Sequence, residues 1–227
     1  MKEIKKVTLL LVLVLFVTNC ASVKLANSWH SENFDTTKTR KILVVARDND
    51  MDVRTSYENA MVSNLKEEGV DAVSAFEMFP ALKENKNRKQ EEIEALVESF
   101  KSNGINAIML TALKDTNIEE SQPKSTSFSP VSTANVGMYG ISFTDYYNVH
   151  SIEYISRGLK PVYNDSQDAG TTRLSSTTYI LEAIVYDLTL ANKKQLVGVF
   201  EIEITDPSSG KQVLNKFTTL ISKQFRK

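Results

Sequence analysis

From residue 41 onward, short unbroken apolar runs give way to stretches in which apolar residues recur every three or four positions. "KILVVAR" (residues 41–47) is an apolar run bounded by charges, the pattern of a strand covered on both faces. Past the aspartates at 48, 50 and 52 come Val53, Tyr57, Met61 and Leu65, spaced by four and ending at Gly69. This predicts an amphipathic helix capped by the last aspartate, Asp52, with glycine just past its end. A second apolar stripe, Ile93, Leu96, Val97 and Phe100, again ends at a glycine, Gly104. "EEGVDAVSA" (residues 67–75) and "SNGINAIML" (residues 102–110) echo each other as helix end, glycine, branched aliphatic, Asp or Asn, Ala. One strand followed by two such helix-to-strand units predicts β-α-β-α-β, which right-handed crossovers make a parallel sheet.

The C-terminal half has a different rhythm. Residues 178–189 and 195–205 are rich in β-branched and aromatic residues. In the second segment Phe200, Ile202 and Ile204 alternate with Glu201 and Glu203, so the two predict an antiparallel hairpin with one solvated face. Val213, Leu214, Phe217, Leu220, Ile221 and Phe225 then have helical spacing. The charges of that last helix are all basic: Lys211, Lys216, Lys223, Arg226 and Lys227. Basic residues near a helix C-terminus favour the macrodipole, and a membrane-facing role is the second reading of this face. The expectation is therefore an α/β fold: a β-α-β-α-β parallel core followed by an antiparallel β-hairpin and a C-terminal helix, in two or three layers. Residues 36–227 would form one domain.

Composition narrows the function. With 227 residues, 41% of them hydrophobic and 24% charged, the chain can bury a full core. Its 27 basic against 28 acidic residues leave no field that would steer it to nucleic acid, which is not expected as a partner.

The N-terminus adds an address. Lys2, Lys5 and Lys6 precede an apolar run over residues 7–17, too short for the roughly 20 residues of a spanning helix and suited to a secretory signal. The run leads to Val17-Thr18-Asn19-Cys20, which resembles bacterial lipoproteins, whose signal is cut just before a cysteine that receives acyl chains. Asn19 departs from the small residue usual before that cysteine. The resemblance implies a signal peptide over residues 1–19, lipid attachment at Cys20, and, from Ser22 rather than aspartate at the second position after it, sorting to an outer membrane. Two or more acyl chains anchor stably where one binds only marginally. Cys20 is the sole cysteine, so no disulfide can staple the fold. Residues 20–35 read as a short tether in which Trp29 docks back on the sheet.

A broader resemblance rests on the order strand, helix, strand, helix, strand, hairpin, helix over residues 41–227, and on "VYDL" at residues 185–188. It is similar to the envelope lipoproteins related to the curli-secretion lipoprotein and to the outer-membrane activators of penicillin-binding proteins. Val197-Gly198 stands where many members carry an aromatic residue. The resemblance implies an α/β domain, held at a membrane by covalent lipid and facing the periplasm, that works by binding partners and has no family-wide catalytic site.

Motifs for chemistry are sparse. Asp48, Asp50 and Asp52 alternate like the start of a calcium loop, but Val53 and Asn59 occupy the places of its glycine and bidentate glutamate. The loop remains a weak candidate ligand loop because it follows a strand's carboxyl end, where open α/β sheets place ligands. The sequence contains no G-x-G-x-x-G, G-x-S-x-G, H-E-x-x-H or phosphate-binding loop, and His30 and His150 are the only imidazoles. Neither metal nor cofactor is expected. Residues 114–176 form a Ser/Thr-rich insertion holding five of the eight tyrosines: Tyr139, Tyr146, Tyr147, Tyr154 and Tyr163. Tyrosines on a polar scaffold are good contact residues for a protein or a cell-wall glycan, and a local mini-core is the alternative. "YGISFTDYYNVHSIEYISRG" (residues 139–158) is expected as one or two short edge strands.

These features point to a non-enzymatic binding or assembly module of the cell envelope. One alternative is a hydrolytic or glycan-modifying enzyme, with a groove between the aspartate loop and the insertion and carboxylates of perturbed pKa. The other is a carrier of lipid or a small ligand, with an apolar cavity under the hairpin.

Overall fold

The computed structural model describes residues 22–48, 50–82, 88–120, 142–149 and 175–226. Six strands form one sheet in the order β1-β6-β5-β4-β2-β3: β1 (Ser22–His30), β2 (Ile42–Ala46), β3 (Ala72–Ser74), β4 (Ala107–Glu120), β5 (Ser175–Asp187) and β6 (Leu196–Thr205). Helices α1 (Phe34–Thr37), α2 (Met51–Glu67), α3 (Ala75–Met78), α4 (Gln90–Ser102), α5 (Phe143–Val149) and α6 (Gly210–Lys223) cover it. β2 pairs in parallel with β3 and β4, whereas β4–β5, β5–β6 and β6–β1 are antiparallel. The expected parallel core is therefore three strands wide, and an antiparallel half of equal extent is fused to it.

Alternation along the strands sends side chains to two cores. Ile42, Val44 and Ala46 of β2, Leu181 and Ala183 of β5, and Ile202 and Ile204 of β6 meet Tyr57, Met61 and Leu65 of α2 and Val213, Phe217 and Ile221 of α6. Leu43, Val45, Ile108, Leu110, Ile184 and Tyr186 face the other way, against Ala75 of α3, Ile93 and Phe100 of α4, and Phe143 and Tyr146 of α5. The result is three layers, which is why the central strands read as continuous apolar runs.

The two glycine echoes are one device used twice. Gly69 and Gly104 adopt φ of +79° and +76°, a region that a side chain disfavours. After α2, Gly69 N–H donates to Lys66 O at 3.0 Å and Val70 N–H to Leu65 O at 3.0 Å. After α4, Gly104 N–H donates to Lys101 O at 2.9 Å and Ile105 N–H to Phe100 O at 3.0 Å. Both helices thus end in the same paired closure, which drops the next aliphatic residue into the core.

Four expectations need correction. Much of the supposed tether over residues 20–35 is β1, an edge strand whose Ser22 pairs with Thr205 and whose His30 pairs with Gly198, followed by buried Phe34 in α1. The expected solvated face of the hairpin is covered: Glu201 is 3% exposed and Glu182 0%, while Ile184, Tyr186 and Val199 on the same side pack into the second core and β1 pairs along the edge of β6. Part of the supposed edge-strand segment is helix α5, started by Ser142 N–H to Asp145 Oδ2 at 3.1 Å and Asp145 N–H to Ser142 Oγ at 3.0 Å. The cap of α2 is Asp50, whose Oδ1 accepts Asp52 N–H at 3.0 Å and Val53 N–H at 3.2 Å, and not Asp52.

Candidate functional site

The least ordinary chemistry lies on the α5 side of the sheet, where a row of polar residues crosses the strands. Arg47 follows β2, and its N–H extends the ladder by donating to Thr111 O at 2.8 Å. Its guanidinium lies over the Tyr146 ring of α5, 4.9 Å from the centroid, and the Tyr146 and Tyr186 rings are 6.1 Å apart, edge to face. On β5, Glu182 pairs with Ala112 of β4 on one side and with Glu201 of β6 on the other. Glu201 accepts from Asn27 Nδ2 of β1 at 3.4 Å and is salt-bridged to Lys114, the extra residue of a bulge between Leu113 and Asp115. The bulge turns a lysine into the second core, where it offsets one of two adjacent acids.

Glu182 has no such partner. It is 0% exposed, and neither carboxylate oxygen makes a hydrogen bond. Burial is the main cause that raises its pKa from 4.5 to about 7; Lys114 and Arg47 oppose the shift and Glu201 adds to it. Burial likewise raises the Tyr186 hydroxyl well above its ordinary value, with Tyr146 contributing. The row therefore combines a lysine-bound acid, Glu201, with one acid, Glu182, that is half-protonated near neutrality, both out of contact with water.

Two other buried acids are each held by several donors. Glu58 of α2 accepts Ala46 N–H at 3.1 Å, Arg54 Nε at 2.9 Å, Ser74 Oγ at 2.7 Å and Phe76 N–H at 2.6 Å, which locks α2 to the ends of β2 and β3. Asp187, the acid of "VYDL", accepts Thr37 Oγ1 at 2.9 Å, Thr189 N–H at 2.8 Å and Thr189 Oγ1 at 2.6 Å. That aspartate fastens α1 to the end of the hairpin, a structural duty.

The residues singled out from sequence scatter. Asp48 is 5% exposed and its Oδ1 accepts Asp50 N–H at 2.7 Å, so with Asp50 as a cap the loop's carboxylates serve their own backbone. Among the described residues no three His, Cys, Asp or Glu side chains converge as metal ligands. Tyr146 is 0% exposed and belongs to the second core, which removes it from the contact surface and favours the mini-core alternative at that position. The Tyr147 side chain lies outside the described part of the structure, as do Cys20, Tyr139, Tyr154 and Tyr163. Trp29 sits in β1 and packs against the second core, while His30 stacks on Phe34 at 5.6 Å. An apolar groove of about 450 Å³ lies between α3 and α4, lined by Met78, Phe79, Leu82 and Leu96 with Arg88 at its rim. Its lining comes from α3, α4 and the residues beside them and includes no hairpin residue, whereas a carrier's cavity is expected beneath the hairpin. Sequence patterns single out neither Glu182 nor Lys114 as functional; the signal that marks the site is an acid, Glu182, inside the otherwise apolar run "YILEAIVY".

No protein-family model matches the chain, and no curated protein matches it in sequence. In structure it is similar to a PelC dodecamer from Paraburkholderia phytofirmans, at 10% identity and a TM-score of 0.40, covering 91% of this chain and 98% of that one. A variant PelC dodecamer from the same organism gives 10% identity and a TM-score of 0.40, covering 91% and 99%. A DUF4136 family protein from Bacteroides thetaiotaomicron gives 8% identity and a TM-score of 0.31, covering 91% and 94%. Likenesses this distant carry no argument about function.

Proposed function

We propose that the chain is an exported lipoprotein, attached through Cys20 to an outer membrane and facing the periplasm, that serves as a non-enzymatic binding or assembly module of the envelope. The observation that carries this reading is a single line of register across four strands. Ser22 of β1 pairs with Thr205 of β6, Thr205 with Thr178 of β5, and Thr178 with Asn117 of β4. The start of the domain and the strand ends from which the tyrosine-bearing insertion departs thus share one end of the sheet. Cys20 is separated from Ser22 by one residue, so its Cα lies within about 7 Å of that end. A lipid there would set the strand ends that carry the insertion close to the bilayer, within reach of a membrane-bound partner or the cell wall beside it.

The hydrolytic alternative asked for convergent carboxylates with a perturbed pKa. Glu182 and Glu201 converge, but their burial at 0% and 3% exposure separates them from any dissolved substrate. The reading is tested by crosslinking in intact cells, comparing the full chain with one lacking residues 124–168. The expected result is one envelope protein or glycan captured by the full chain alone. Equal capture by both forms refutes the assigned contact region.

A further inference from the structure

We infer that Glu182 is a pH-sensitive catch for helix α5: with its proton the carboxyl lets α5 lie on the sheet, and without it α5 lifts and admits water to the row. The device is independent of the anchor at Cys20. Its basis is the isolation of one acid. β5 is paired with β4 on one side and β6 on the other, so no movement of an edge strand can bring Glu182 to water. Alternation points its side chain into the second core, as it does Ile184 and Tyr186 two and four positions on. There it is 0% exposed, and neither carboxylate oxygen makes a hydrogen bond.

The charged groups around it are engaged elsewhere. From β4 comes Lys114, salt-bridged to Glu201 of β6, and from the end of β2 comes Arg47, whose guanidinium lies over the Tyr146 ring. α5 brings Tyr146 and Asp145, and β5 itself brings Tyr186. The Tyr186 hydroxyl feels Tyr146, Glu182, Asp145 and Arg47 together, so these groups meet in one place. β1 contributes the neutral Asn27, which donates to Glu201, and α4 the apolar Phe100. An ionised Glu182 therefore meets Glu201 directly across the strands, with no donor of its own and no water.

Among the described elements over this face, α5 is the one built to yield. Its 7 residues are too few for a helix to persist alone. It is held by Phe143 N–H donating to Gln195 Oε1 at 3.2 Å and by ring contacts: Phe143 with Phe100 at 6.3 Å and with Tyr186 at 6.1 Å, Tyr146 with Tyr186 at 6.1 Å and with Arg47 at 4.9 Å. All but the first of those ring contacts end on Arg47 or Tyr186, the groups gathered around Glu182, so water drawn to the carboxylate loosens them together. Under α5 the carboxyl titrates at about 7, raised chiefly by burial, against 4.5 in water. Linkage then makes closure of α5 about tenfold more favourable at pH 6 than at pH 8.5.

The test is hydrogen exchange of the full chain as purified from cells, read by mass spectrometry at pH 6 and pH 8.5 and corrected for the intrinsic pH dependence of amide exchange. Protection of the α5 amides should fall about tenfold between the two values, and Glu182→Gln should abolish the fall. In 1 M urea at pH 8.5 the α5 amides should exchange less than about twofold faster, while those of α2 in the opposite layer accelerate roughly tenfold or more, because opening α5 alone exposes little surface. Equal protection of α5 at the two pH values overturns the catch, as does a fall that persists in Glu182→Gln. Acceleration of α5 and α2 by the same factor in urea marks unfolding of the whole chain and overturns it too. Where Glu182→Gln does not fold, the pH and urea profiles of the unsubstituted chain decide by themselves.

Discussion

Glu182→Gln should make the protein more stable at alkaline pH, which is unusual for removal of a charge. Folding moves this carboxyl from 4.5 to about 7, so between those values the folded chain holds a proton that the unfolded chain has released. The group's contribution to stability is complete below pH 4.5 and is lost as pH rises through 7, where the folded state must bury an ionised carboxylate beside Glu201. At about 1.4 kcal/mol per pH unit the full loss is about 3 kcal/mol. Glutamine keeps the shape and removes the titration, although its amide meets the same lack of partners, so the gain at pH 8 should be about 1–3 kcal/mol. Urea unfolding followed by Trp29 fluorescence at pH 5, 6, 7 and 8 reads this directly, provided the slope with denaturant is unchanged. The difference between variant and parent should grow in the variant's favour with pH. Parallel pH profiles, or a variant less stable at pH 8, would refute the assignment of a buried, unpaired carboxylate.

Two other substitutions probe the fold around the site. Gly198→Ala would bring a Cβ to 3.0 Å from the Phe200 ring and 3.1 Å from the Phe34 ring, where Phe34 is held by Phe225 at 5.1 Å; a loss of about 1–3 kcal/mol in urea unfolding is expected, and no loss would show that α1 yields freely. Glu58→Ala removes the acceptor for four donors and leaves Arg54, 1% exposed, without its carboxylate. A destabilisation of about 3–5 kcal/mol follows for a broken buried pair, and a change below about 1 kcal/mol would contradict the network's role.

The apolar periodicities made most of the fold legible. The spacing of Tyr57, Met61 and Leu65, the run of residues 41–47 and the paired glycines each reported local geometry that the tertiary structure keeps. What escaped was set by long-range covering. β1 contains Lys24, Asn27 and Ser28 between its apolar residues, so it resembles a polar linker until β6 supplies its backbone partners. The alternation of Glu201 and Glu203 marks a solvated face only if nothing lies over it, and here Lys24 pairs with Glu203 at 2.6 Å while Lys114 meets Glu201. The helix α5 did leave a local sign, the reciprocal Ser142 and Asp145 cap, which the surrounding aromatic residues masked. Glu182 was the hardest to foresee: an acid between apolar residues marks a place of interest, but its isolation depends on four strands and a helix meeting around it.

The proposed lipid anchor would fasten this domain to a membrane through Cys20, two residues before the edge strand begins at Ser22. Intact mass spectrometry of the protein purified from cell membranes, together with fractionation of a Cys20→Ala variant, tests it most directly. The predicted result is a chain that begins at Cys20 and carries the added mass of acyl groups, with the variant released to the soluble fraction. A chain that begins elsewhere with an unmodified Cys20, or a variant that stays on the membrane at unchanged mass, would contradict it.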